Sequence, residues 1–209
     1  MVFVFFVLFV MKRVVVVASL LLAVACSPEA PSYEEALAGA RAEKDRMLRE
    51  SAESPVPAAA RASWPPLPYY PVDESYRVPA ALKPPAPGAA EVIEMPTSTG
   101  QQRQMRRAGT LEFALRGEPL RLSAFADVES NVPNRLFVPF RDLTNGKETY
   151  SAGRYMDLDP TATGLYEIDF NRAYSPYCAY NPQYDCPFPP PENRLKVEVR
   201  AGEKLLHLR

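Results

Sequence analysis

Histidine is almost missing from this chain: His207, near the C-terminal end, is the only one in 209 residues. That excludes a Ser/His/Asp triad, an H-E-x-x-H site or a histidine-rich metal centre inside the domain. His207 itself reads as a surface or edge residue. Glycine is scarce too, with 9 against 23 prolines. A proline has no N–H to give and clashes in a helix interior, so long unbroken helices are excluded. No G-x-S-x-G elbow, phosphate-cradling glycine loop or dinucleotide fingerprint occurs, and no segment repeats. Neither sign of charge dominates, at 24 basic and 25 acidic residues. A nucleic-acid partner needs a clustered basic face, and this balance argues against one. What the chain does have is aromatic bulk: eleven tyrosines and ten phenylalanines, enough for a sizeable core.

The first segment reads as an address. "MKRVVVVASLLLAVAC" runs from Met11 through Lys12 and Arg13 into an apolar stretch, then Ala23-Val24-Ala25 before Cys26. A basic start, an apolar middle and small residues before a cut site make a signal peptide. A cysteine directly after the small residues resembles a bacterial lipobox, whose thiol is acylated. This predicts a leader over 1–25, with translation starting at Met11, and lipid on Cys26. The alternative is a single transmembrane anchor joining residues 2–24. Removing the leader lowers the net charge from −1 to −3. Ser27, a non-aspartate, points to the outer membrane. The expected location is the bacterial cell envelope, facing the periplasm, with the membrane as partner through the lipid.

Residues 26–53 hold the lipid site and one helix. Ser32 with Glu35 three places on is a capping-box pattern. Tyr33, Leu37, Ala40, Met47 and Leu48 recur at roughly helical spacing, which predicts a helix over 33–49. Residues 54–74 form a proline-rich connector. Trp64, Tyr69 and Tyr70 are costly to leave in water, so this part is expected to lie along the domain. From residue 75 to 209 the signals are β. "LEFALRGEPLRLSAF" alternates across a Gly-Glu-Pro turn and is the clearest hairpin. "LKVEVR" alternates Leu195, Val197 and Val199 and reads as a last strand. The expected fold is mainly β: an antiparallel β-sandwich or barrel-like domain with one N-terminal helix.

Three polar clusters could carry chemistry. "RDLTNGKETY" offers Arg141 and Asp142, though Asn145-Gly146 is equally a turn with Asp142 capping it. "GRYMDLDPTATG" offers Arg154, Asp157 and Asp159. Its oxygens are too loosely spaced for a calcium loop, and no metal is assigned. "DFNR" puts Asp169 and Asn171 on one face of an extended run. Then comes "NRAYSPYCAYNPQYDCPFPPPENR", residues 171–194. Its prolines lower the entropy lost on ordering, and its tyrosines supply apolar area with polar tips. With Cys26 lipidated, Cys178 and Cys186 are left as a disulfide candidate in an oxidising compartment. The run reads either as a rigid lid or as a loop that presents a site.

The stretches "YYPVDESYRV", "GTLEFALRGEPLRL", "LFVPFRDLTNGKETYSAGRYMDL", "IDFNRAYSPYCAYNPQYDCPFPPPENRL" and "VRAGEK" resemble a bacterial family of uncharacterised proteins, domain of unknown function family 1684. The likeness covers roughly residues 64–204 and implies no activity or cofactor. Its hallmark positions include Arg141, Asp142, Arg154, Asp169, Asn171, Tyr174, Asn193 and Arg194. They also include both Cys178 and Cys186, which family members without export signals carry as well; that suits a buried-thiol or site role equally. The resulting expectation is a polar cluster of those residues beneath the Pro/Tyr/Cys loop. It would bind a small polar ligand or envelope glycan. The alternatives are a histidine-free hydrolase using paired carboxylates, such as Asp142 with Asp169 or Glu192, and a structural envelope protein.

Overall fold

The structure is a computed structural model that describes residues 30–85, 87–88, 91–128 and 135–207. The leader and Cys26 lie outside the described residues. Helix α1 spans Tyr33–Glu50. Its capping box forms as expected: the Glu35 N–H donates to Ser32 Oγ (3.3 Å), and the Ser32 N–H donates to Glu35 Oε2 (2.8 Å). Among the described residues no helix is long and apolar enough to cross a membrane.

Residues 37–209 make one compact unit. Among the described residues seven strands form a single antiparallel sheet: β1 Arg77–Lys83, β2 Val92–Pro96, β3 Gln102–Leu115, β4 Glu118–Asp127, β5 Leu136–Phe140, β6 Arg154–Leu158 and β7 Leu165–Asp169. The order is β6-β5-β4-β3-β1-β7, with β2 on the first half of β3. The sheet curls into a half-barrel, the barrel-like form of the expected fold. Leu111, Phe113 and Leu115 of β3 and Leu122 and Ala124 of β4 face one core. Phe140, Ile168 and Phe170 close it. Strand β3 kinks at a bulge between Arg107 and Gly109. A Cβ on Gly109 would sit 2.3 Å from the Lys83 carbonyl oxygen, so only glycine lets β1 approach there.

Two local expectations are corrected. The β3–β4 turn is Arg116-Gly117, not Gly-Glu-Pro. Both residues have positive φ, 51° and 84°, as a two-residue type I′ hairpin requires. Glu118 and Pro119 already pair with Leu115 and Ala114. The second correction is "LKVEVR", which is not a strand. Leu195 and Val199 are buried in the core as its alternation predicts. Its backbone, however, is mostly held by side chains rather than by a ladder.

The connector does not run loosely. Val56, Trp64 and Leu67 pack with Leu48 of α1 and with Tyr180 of the Pro/Tyr/Cys run. Trp64 meets Tyr180 edge to face at 6.2 Å. A short helix, α2, occupies Ala58–Arg61.

The expected disulfide is also absent: Cys178 and Cys186 are free thiols. Cys186 Sγ instead accepts the Cys178 N–H at 3.2 Å. Cys186 is pinned from its other side by Ser98. The Ser98 N–H donates to the Cys186 carbonyl (2.9 Å), and the Cys186 N–H donates to Ser98 Oγ (3.1 Å). Hydrogen bonds therefore close this loop without a covalent link.

Candidate functional site

The polar residues singled out in the sequence are not gathered into one cluster. They form separate clasps, each substituting for missing backbone pairing. The first is Arg154, fully buried at the start of β6. Its guanidinium donates to the carbonyls of Val199 (2.7 Å), Ala201 and Glu203, and to Asp142 Oδ2 at 3.4 Å. Asp142 in turn accepts the Val199 N–H (2.6 Å) and the Thr144 hydroxyl (2.8 Å). Burial pushes the Asp142 carboxyl upward, opposed by the Arg154 charge and then by the Val199 N–H. One ion pair thus takes the Val199 N–H and the carbonyls of Val199, Ala201 and Glu203.

The second clasp is Asn193, wholly buried. Among the described residues strands β4 and β5 pair at Phe125 and Phe137 alone. The next register position would oppose Ser123 to Pro139, which has no N–H to give. The Asn193 amide fills that gap. It accepts the Ser123 N–H (2.7 Å) and donates to the carbonyls of Ser123 (2.8 Å) and Pro139 (2.7 Å). Arg141 and Arg194 bridge beside it as one isolated parallel pair, with Arg194 exposed.

Asn171 and Asp169 make the third. Asn171 Oδ1 accepts the Asp73 N–H (3.1 Å), and Nδ2 donates to the Asp73 carbonyl (2.9 Å). Asp169 caps the 3-10 turn Phe170–Arg172 by accepting the Asn171 N–H (3.0 Å), and it also pairs with Arg172 (3.1 Å).

The space lies elsewhere. A cavity of about 690 Å³ opens between α1, the sheet and the Pro/Tyr/Cys run. Of the polar residues singled out in the sequence, Tyr174 and Asp157 line it, together with Cys186. Its walls are aromatic. Phe137 and Tyr155 meet edge to face at 4.7 Å, Tyr155 and Tyr174 at 5.9 Å, and Tyr177 and Tyr184 at 5.4 Å. Tyr155 donates its hydroxyl to the Pro187 carbonyl (2.5 Å), which ties the run to β6. Burial, and then the Asp157 carboxylate that accepts the Tyr174 hydroxyl at 2.8 Å, hold the Tyr174 phenol well above its ordinary value.

Charge sits around these rings in loose pairs. Arg103 approaches Asp185 at 3.9 Å, and Arg135 approaches Asp157 at 3.8 Å. The exception is Lys44 of α1. Its ammonium lies 5.0 Å from the Tyr174 ring and is ion-paired with buried Glu203. Glu203 also accepts the Ser175 N–H (2.8 Å) and the Tyr180 hydroxyl (2.7 Å). A second cavity, about 570 Å³, shares Arg135, Asp157 and Tyr174 with the first and adds Asp169, Arg172 and Glu167. Asp142 lines neither cavity. Glu192 is paired with Arg107 at 3.0 Å. The residues that sequence reading missed are Lys44, Arg103, Arg135 and Asp185. Each comes from a different segment, and none belongs to a local pattern.

The comparisons agree with this architecture. A solved structure similar to the chain is the solution NMR structure of an uncharacterised protein from Haloarcula marismortui. It is 39% identical, covers 82% of this chain and 94% of its own, and superposes with a TM-score of 0.64. No curated protein matches the chain. The family model described as "Protein of unknown function (DUF1684)" matches residues 62–204, so the chain belongs to that family.

Proposed function

We propose that this protein is a binding module for a short glycan or similar small polar ligand, taken up in the aromatic cavity under the Pro/Tyr/Cys run. One observation carries the reading: about 690 Å³ of open space walled by tyrosine rings and rimmed by charged pairs. That volume falls within the range of about 300–1,000 Å³ usual for small-ligand sites. A sugar offers flat C–H faces and clustered hydroxyls. The rings of Tyr155, Tyr174 and Tyr184 supply apolar walls. Arg103 with Asp185, and Arg135 with Asp157, supply donors and acceptors side by side. Their separations of 3.9 and 3.8 Å leave both pairs able to take a ligand hydroxyl between them. The hydrolase alternative gains nothing from the geometry, because Asp142 spends its oxygens on Arg154, Val199 and Thr144.

The ligand would be met in the cell envelope. The warrant is the Lys12-Arg13 start, the apolar run and Ala-Val-Ala before Cys26. On this reading Cys26 carries lipid and holds the domain at the membrane. Cys26→Ala should move the protein from the detergent phase to the aqueous phase. Continued partitioning with membranes would support a transmembrane anchor instead.

Titration with N-acetylglucosamine oligosaccharides, followed by amide and aromatic NMR shifts, tests the binding reading. Shifts should gather at Tyr174, Tyr184 and Arg103, and Arg103→Ala should weaken them at least about tenfold, the loss of a charged hydrogen-bond anchor. An absence of shifts at millimolar sugar would end the glycan reading. Shifts confined to another surface would end the cavity assignment.

A further inference from the structure

Two thiols that no reading of the binding site uses lie at the cavity: Cys186 on its wall and Cys178 hydrogen-bonded to it. Cys178 is half-buried in the 3-10 turn Tyr177–Ala179, and Cys186 is buried and faces the cavity. We infer that Cys178 and Cys186 are a thiol–disulfide exchange site, with Cys178 as the attacking sulfur and Cys186 as the resolving one. The substrate class is a low-molecular-weight disulfide.

The geometry assigns the two roles. Cys178 is the more exposed of the pair and so the one an external disulfide reaches. Its sulfur accepts the Tyr150 hydroxyl at 3.8 Å, a donor that stabilises a thiolate. Cys186 lies directly behind it, since its sulfur accepts the Cys178 N–H at 3.2 Å. Cys186 is held in place from the other side by Ser98. A resolving sulfur must wait within reach without being attacked first, and burial arranges that. Hydrogen bonding then separates the two acidities. The bond from Cys186, partly offset by burial and aided by Tyr150, lowers the Cys178 thiol to about 6. The same bond, with burial, holds the Cys186 thiol far above its ordinary value. The half-buried sulfur is thus the more acidic of the two and the buried one the less acidic.

The chemistry closes in two displacements. Cys178 thiolate attacks one sulfur of RS–SR. The S–S bond breaks, RS⁻ leaves, and a mixed disulfide remains on Cys178. Cys186 then loses its proton to the departing thiolate and attacks Cys178 Sγ, which expels the second RS⁻. Two protein thiols are oxidised, one small disulfide is reduced to two thiols, and no other reagent is required. The proposal concerns the dithiol present in the structure and is independent of what the cavity binds.

The test uses the full chain carrying Cys26→Ala, so that only two thiols remain. Glutathione disulfide is the probe, and intact mass is the readout. The expected product is the protein lighter by two hydrogens, restored by dithiothreitol. Cys186→Ser should stall as the glutathionylated protein. Cys178→Ser should react at least about tenfold more slowly, as burial of the remaining thiol requires. Iodoacetamide labelling against pH should place the Cys178 midpoint near 6. Tyr150→Phe keeps both sulfurs and should raise that midpoint. Two thiols left free after exposure to the probe would overturn the proposal. So would a Cys178→Ser variant that reacts as fast as its parent, or a midpoint unmoved in Tyr150→Phe.

Discussion

Strands β1 to β4 and the tail beyond residue 190 bury apolar residues into the same core, the first held by a regular ladder and the second without one. In the sheet, backbone meets backbone. The β3–β4 ladder runs unbroken from Gly109 to Leu115. In the tail, single backbone bonds to scattered segments, such as Arg141 N–H to the Asn193 carbonyl and Glu203 N–H to the Ala173 carbonyl, are joined by buried side chains. Arg154 gathers three tail carbonyls, Asp142 takes the Val199 N–H, and Asn193 stands in for a peptide group beside Pro139. A buried segment outside any ladder must still pair its backbone groups, and buried side chains supply part of that pairing. Polar residues in such a family are therefore as readily architectural as functional.

Breaking the comparison hardest means removing Arg154. Arg154→Met should destabilise the protein by about 3–5 kcal/mol, because Asp142 is left as a buried charge without its partner. A loss below about 1 kcal/mol, the value of an exposed pair, would show that the tail does not depend on this clasp. Denaturant unfolding monitored by Trp64 fluorescence measures it. Asn193→Ala comes next, at about 2–3 kcal/mol, since it strands the buried Ser123 N–H and two carbonyls. Asn193→Asp should not rescue it, because a carboxylate has no N–H for Ser123 and Pro139.

Asp169→Ala is smaller, at about 1–2 kcal/mol. It removes the cap on Asn171 N–H, but its Arg172 partner is half-exposed and can return to water. The sheet supplies the control. Glu167, on β7, is exposed and pairs with Arg77 at 3.0 Å across to β1. Glu167→Ala should cost under about 1 kcal/mol. Equal losses for Asp169→Ala and Glu167→Ala would erase the distinction between clasp and ladder.

The same contrast explains what the sequence disclosed. Period-two alternation announced β3 and β4, and Ser32 with Glu35 announced the start of α1, because both signals are local. The Arg116-Gly117 turn was expected one residue too late because arginine rarely takes a positive φ, and nothing in "RGEP" reports that it does here. "LKVEVR" kept its alternation while losing its ladder, since alternation reports which side chains are buried, not what the backbone pairs with. Arg154, Asn193 and Asn171 looked like a ligand set because buried clasps and binding anchors draw on the same residue types. The cavity was least legible. Lys44, Arg103, Asp157 and Asp185 meet only through the tertiary fold.

The smallest predicted effect is one of pH and belongs to Asp185, at the cavity rim. Its carboxyl is held below the ordinary carboxylate range by the hydroxyls of Thr97 and Thr99. The Thr99 N–H donates to the same oxygen at 3.3 Å. A carboxyl whose acidity is stronger folded than unfolded stabilises the fold above its unfolded value. That contribution disappears as pH falls through the folded value. Asp185→Asn keeps an acceptor oxygen but has no charge to lose. The variant should be slightly less stable than its parent at neutral pH, and the difference should shrink as the pH is lowered from neutral into acid. Urea unfolding at neutral and acid pH provides the measurement. A difference that persists unchanged into acid would mean that shape, not charge, holds the Pro/Tyr/Cys run against the end of β2.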